Sequence, residues 1–121
     1  MKIIRFKNPA GEINFGALQK DGSVLLLKGD LYSGFEQITH LETVDKVLAP
    51  LAPTTILGIG LNYKRHAEEG GMKLPEQPIL FVKGLNTVQN PGDAIQIPTA
   101  LPSREVDYEC ELAVIIGNAC K

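Results

Sequence analysis

The first 30 residues alternate short apolar runs with polar, glycine-containing breaks. "KIIRF", "INFGAL" and "SVLLLKG" are separated by "KNPAGE" and "QKDGS", a texture that predicts a β-meander with tight turns. From Ile38 the period changes. Leu41, Val44, Val47 and Leu48 fall at helical spacing, with Thr39 placed to cap and Pro50 to stop, which predicts one short amphipathic helix. "APLAPTT" reads as a linker. Beyond it, "TILGIG" predicts a buried strand and "NYKRHAEEGG" a polar helical turn closed by glycines; "PILFVKG", "DAIQIP" and "VDYECELAVIIG" predict three further strands. No internal repeat, low-complexity tract or heptad interrupts this order. The expected organisation is a small N-terminal β domain with one helix at residues 1–52, and a second section at 53–121.

Composition narrows the class. With 121 residues, 44% hydrophobic and 21% charged, the chain has the balance of one ordinary globular domain or two small ones. A formal net charge of −2 and the lack of any basic run leave no electrostatic footprint for nucleic acid, and no segment reaches the roughly 18 apolar residues of a membrane span. The start, "MKIIRF", is interrupted by charge too early for a secretory signal, so the expected compartment is the cytoplasm. Cys110 and Cys120 suit it. They are not spaced as C-x-x-C, and Cys110 beside acidic residues on a strand reads as a small buried thiol rather than half of a disulfide.

The chemistry concentrates in the second section. On a strand, Glu109 and Glu111 of "DYECELAVIIG" would project from the same face, roughly 6 to 7 Å apart at the α-carbons. Two unpaired carboxylates entering a core cost several kcal/mol each and repel one another. A divalent cation resolves both problems, and all-oxygen ligation suits Mg²⁺, Mn²⁺ or Ca²⁺ better than Zn²⁺. A solvent-facing edge strand with alternating charge accounts for the same pair. Asp107, on the same face, serves as a further ligand, an acceptor behind the ligands or the polar start of the strand. In "GIGLNYKRHAEEGG", Asn62 is placed to cap a helix on which His66 and Glu69 fall at i and i+3. That spacing suits a dyad in which the carboxylate fixes the imidazole tautomer and the other ring nitrogen activates water; it equally suits a solvated helix face. "GIG" lacks the third glycine and the βαβ setting of a dinucleotide fingerprint. Lys83, at a strand end, is a candidate for a substrate carboxylate or a surface lysine. His40 falls on the polar side of the expected first helix.

Taken together, "ILGIGLNYKRHAEEGG", "QPILFVKGLNTVQNPGDAIQIP" and "VDYECELAVIIG" resemble, in order and spacing, the opening of the catalytic domain in the fumarylacetoacetate hydrolase family, over residues 54 to 121. The first fifty residues are compatible with the small N-terminal domain that many members carry. The resemblance implies an α+β, β-rich fold in which a mixed β-roll or barrel is only partly covered, commonly in a homodimer. It implies that Glu109 and Glu111 match the family's E-x-E metal pair, completed by a later aspartate around Mg²⁺ or Mn²⁺, with Ca²⁺ as a crystal substitute. His66 and Glu69 match the H-x-x-E dyad on a flap over the substrate. Lys83 matches the lysine of the family's F-x-K-P motif, although Gly84 here replaces the proline. The implied activity is metal-dependent hydrolysis of a C–C bond in an acylpyruvate-type β-dicarbonyl or 2-oxo acid, or decarboxylation or isomerisation of a related dioate. Chelation of oxo and carboxylate oxygens would stabilise an enolate leaving group while His66 draws a proton from water.

The chain departs from the family at Lys121, before the third metal ligand. It is therefore expected to be the first part of a larger enzyme, with a noncatalytic remnant or structural module of the same fold as the alternative. A small oxo-acid substrate is the expected partner, with neither nucleic acid nor membrane.

Overall fold

The computed structural model describes residues 1–119, so Cys120 lies outside the described residues. Among them are seven strands, one α-helix and one 3-10 turn: β1 Lys2–Lys7, β2 Ile13–Leu18, β3 Val24–Asp30, β4 Gly34–Glu42, β5 Lys46–Leu48, β6 Ile56–Gly60, α1 Lys64–Glu69, β7 Ile79–Lys83 and the 3-10 turn Leu85–Thr87. They belong to two compact units. Residues 1–50 with those from 90 onward make the first, and Leu51–Gln89 makes the second.

In the first unit, five antiparallel strands lie in the order β4-β3-β2-β1-β5. The meander follows from its turns. Between β1 and β2, Gly11 donates its N–H to the Asn8 carbonyl (2.9 Å), and between β2 and β3, Gly22 donates to Gln19 (3.2 Å). Both glycines have φ of 87°, a left-handed value that side chains disfavour and that three-residue hairpin loops require. Asn8 reinforces its loop by exchanging side-chain hydrogen bonds with Glu12, donating from Nδ2 to Oε2 and accepting the Glu12 N–H at Oδ1, each 2.9 Å.

Strand register distributes the apolar residues over both faces of this sheet. Phe6 is fully buried on one face, with its ring and Val24 packed into the space above Gly16. On the other face are Ala17 and Leu27, both buried, and Phe15, whose ring centroid is 5.1 Å from that of Phe35. Burial of these side chains is the main stabilising term in the unit.

Three expected elements differ. The helix expected from Ile38 is instead β4 followed by β5. Ile38, Thr39, Thr43, Val44 and Val47 are β-branched and restrict χ1 against a helical turn. The free edges of β3 and β1 offered these residues two ladders, Leu25↔Leu41 on one side and Arg5↔Leu48 on the other. The helical spacing of Leu41, Val44, Val47 and Leu48 is a coincidence of two strands and a loop. His40 accordingly sits on β4, its Nε2 3.3 Å from Glu42 Oε1. "DAIQIP" and "VDYECELAVIIG" take no strand ladder among the described residues. A strand needs a neighbour's N–H and C=O groups, and apolar composition alone does not supply them.

Residues 90–93 are nonetheless tied to the sheet. Lys46 Nζ lies 2.7 Å from Asp93 Oδ1 and donates to Oδ2 at 2.9 Å. Asn90 Nδ2 donates to the same Oδ2 (2.9 Å), and its Oδ1 accepts the N–H of buried Ala49 (2.9 Å). Arg5 Nη1 donates to the Ala49 carbonyl at 3.2 Å. Both polar groups of the Ala49 backbone are thus satisfied by side chains. The hydrogen bond from Lys46, then that from Asn90, holds the Asp93 carboxyl below its ordinary value of 3.8. A group whose pKa is depressed by folding stabilises the fold above its unfolded value, and that stability is lost as pH falls through the folded one. Asp93→Asn should therefore weaken the fold at neutral pH and reduce its loss of stability below pH 3.8. Acid-unfolding curves of the same shape for parent and variant would contradict the role given to this clasp.

Candidate active site

The second unit is built on one hairpin. β6 and β7 pair antiparallel with Ile56 opposite Lys83, Gly58 opposite Phe81 and Gly60 opposite Ile79. Gly58 is there for space, because the Phe81 ring occupies the volume that a Cβ would need. Lys83 projects from the same face as Phe81, with Nζ 5.8 Å from the ring centroid, within reach of a cation–π attraction.

From Gly60 the chain passes through residues 61–63 into α1. Tyr63 is the residue before the helix, with φ 69°, ψ 108° and no side-chain cap. Its carbonyl accepts the N–H of His66 (3.0 Å) and of Ala67 (3.4 Å). The expected cap at Asn62 is therefore corrected: the helix starts one residue later, where a tyrosine has no short-range acceptor to offer. At the far end Gly70 donates to the His66 carbonyl (3.1 Å) and Met72 to Ala67 (2.8 Å). Ala67 is the buried residue of α1, and His66 and Glu69 are exposed. They are i and i+3, on neighbouring turns of one surface, and among the described residues no hydrogen bond links them. Glu68 is engaged elsewhere, 3.7 Å from Lys64 at i,i+4.

α1 thus brings His66 and Glu69 together and leaves Lys83 apart. Lys83 stands at the end of the hairpin away from α1, four residues of strand, roughly 13 Å, from Ile79. Glu109 and Glu111 belong to the first unit. Both are exposed and outside regular structure, so the shared strand face expected for them is not formed. Cys110 between them is an exposed free thiol, not the buried one expected. Asp107 Oδ1 accepts the N–H of Tyr108 at 2.8 Å. Among the described residues no group of three or more His, Cys, Asp or Glu is placed to hold a metal. Two features are weakly marked or unmarked in the residue pattern. The Asn90–Asp93 clasp was signalled only as a turn by "NPGD", and the left-handed backbone at Leu61 and Tyr63 had no signal, since neither residue type favours it.

The sheet-forming N-terminal part and the strand-helix-strand part correspond to two family descriptions. Residues 1–50 match "Rv2993c-like, N-terminal", and residues 55–121 match "Fumarylacetoacetate (FAA) hydrolase C-terminal". The chain belongs to the fumarylacetoacetate hydrolase family. It is 40% identical over 111 residues to an uncharacterized protein of Archaeoglobus fulgidus, covering 92% of this chain and 40% of that one. It is 34% identical over 140 aligned positions to a Burkholderia ambifaria protein named "Putative hydrolase BamMC406_5393", covering all of this chain and 48% of the relative. A "Fumarylacetoacetate hydrolase domain-containing protein 2 homolog" of Dictyostelium discoideum is 49% identical over 76 residues, 63% of this chain and 24% of its own length. The chain spans less than half the length of each of these relatives. No solved structure matches it. No helix among the described residues is long and apolar enough to cross a membrane.

Gly58→Ala should destabilise the β6–β7 hairpin by about 1 kcal/mol, because the added methyl meets the end of the exposed Phe81 ring, which must move aside. Faster amide exchange at Leu57, Ile59 and Leu80 would register this, and a Phe81→Ala background should remove most of the penalty. Equal penalties in both backgrounds would show that the ring is not the obstacle.

Proposed function

We propose that the chain carries part of the active site of a divalent-metal-dependent hydrolase or lyase acting on a β-dicarbonyl or 2-oxo acid, cleaving a C–C bond of an acylpyruvate-type substrate or decarboxylating or isomerising a related dioate. The observation that carries this reading is the exposed His66–Glu69 pair on α1, within the segment that matches the family's catalytic domain. The relative named as a hydrolase supports the reaction class. A noncatalytic module of the same fold is the competing outcome.

In this reading Glu69 orients the His66 imidazole through one ring nitrogen, and the other takes a proton from water. Lys83 Nζ is the cation for a substrate carboxylate. Glu109 and Glu111 are hard oxygen donors, exposed and free of ion pairs among the described residues. They fit Mg²⁺ or Mn²⁺ in kind and number, since Mg²⁺ is often held by one or two carboxylates with waters and substrate oxygens completing its shell. Such a cation, when bound, supplies Lewis-acid polarisation of the substrate's oxo and carboxylate oxygens. A mixed β-roll and a cytoplasmic homodimer complete the proposal.

Titration and turnover separate the roles in the complete protein. Glu109→Gln or Glu111→Gln should weaken Mg²⁺ binding at least tenfold, about 1.4 kcal/mol. His66→Ala should lower kcat by roughly 10² to 10⁴ with metal affinity nearly intact, and Glu69→Gln should do the same to a smaller degree. Full turnover by His66→Ala would refute the dyad, and unchanged Mg²⁺ affinity in both glutamate variants would refute the metal pair.

Association follows from the apolar surface. Leu112, Val114, Ile115 and Ile116 are 80%, 76%, 52% and 65% exposed, and every residue of β7 is exposed. So much apolar surface favours self-association. The 121-residue chain should sediment with a concentration-dependent mass. A concentration-independent monomer with a sharp melting transition would overturn this expectation.

A further inference from the structure

Leu61 and Tyr63 are the only non-glycine residues with positive φ among those described, at 51° and 69°. For bulky side chains that region is sterically poor, and the ψ of 108° at Tyr63 lies outside even the left-handed helical well. The chain had cheaper choices nearby. Gly60 and Asn62 tolerate left-handed backbone far better, yet neither has a positive φ. Local preference therefore does not set this turn; the connection between β6 and α1 does. Two carbonyl bonds hold it, from the His66 and Ala67 amides to Tyr63, and the buried Ala67 anchors the helix that follows.

We propose that the strained backbone at Leu61 and Tyr63 is a positioning joint that fixes the direction in which α1 presents His66 and Glu69. The proposal rests on the reading of that pair as a catalytic dyad. Leu61 and Tyr63 touch no reacting atom; they act through the helix. Strain kept at a joint restricts the alternatives open to it, so that α1 presents the imidazole and the carboxylate on one surface in a fixed direction before substrate arrives.

Leu61→Gly and Tyr63→Gly relieve the steric conflict and free the joint. In the complete protein both should lower kcat by about tenfold or more with little change in KM. Leu61→Asn, which accepts the left-handed backbone while staying more restricted than glycine, should recover most of the kcat lost in Leu61→Gly. Glycine variants that keep parental kcat would overturn the proposal. A separate readout needs no turnover: the rate at which diethyl pyrocarbonate modifies His66, resolved from His40 by mass spectrometry. Leu61→Gly should shift that rate away from the parental one, and an unchanged rate would overturn the joint. If the parent turns over no oxo acid, the functional reading fails by itself and this rate alone decides for or against the joint.

Discussion

A β-strand is stable only where a neighbour meets its backbone N–H and C=O groups, and this requirement governs the chain. β1 gains neighbours on both sides because a glycine turn returns β2 along one edge and the short β5 returns along the other. β4 is recruited to the free edge of β3 and β5 to that of β1, and the two pairings turn a sequence with helical spacing into two strands and a loop. The same requirement explains residues 107–117. Their composition is as strand-like as that of β3, but no ladder forms on them among the described residues.

Around Ala49 the requirement is met by side chains instead. Arg5 satisfies its carbonyl and Asn90 its amide, while Lys46 and Asp93 hold Asn90 in place. Four polar residues drawn from β1, β5 and the segment after the second unit thus close the end of one sheet. Their cooperation depends on the sheet already being formed, since Arg5 and Lys46 come from paired strands.

The candidate site is legible in the sequence to the extent that its chemistry is local. His66 and Glu69 share a helix face because i and i+3 are neighbours on any helix, and the helical turn itself was signalled by the polar run and its closing glycines. Lys83 lies at the end of β7, and its distance from α1 follows from the register of β6 against β7. Glu109 and Glu111 share a face only if they lie on a strand, because a two-residue period has meaning only once a ladder exists. The metal-ligand role proposed for them therefore rests on residue chemistry and family membership.

By itself the sequence determined which segments can turn and which can form strands. Glycine at Gly11 and Gly22 permits φ of 87°, and the apolar runs of β1, β2, β3, β6 and β7 were each readable from composition. It also determined the family, through motifs of fixed order. Tertiary structure decided what local preference left degenerate or opposed. It paired β4 and β5 rather than coiling them, drew Asp93 to Lys46, and held Leu61 and Tyr63 left-handed beside residues better suited to it. Local propensities differ by less than about 1 kcal/mol per residue, so an available sheet edge, a satisfied buried peptide or a packed helix outweighs them.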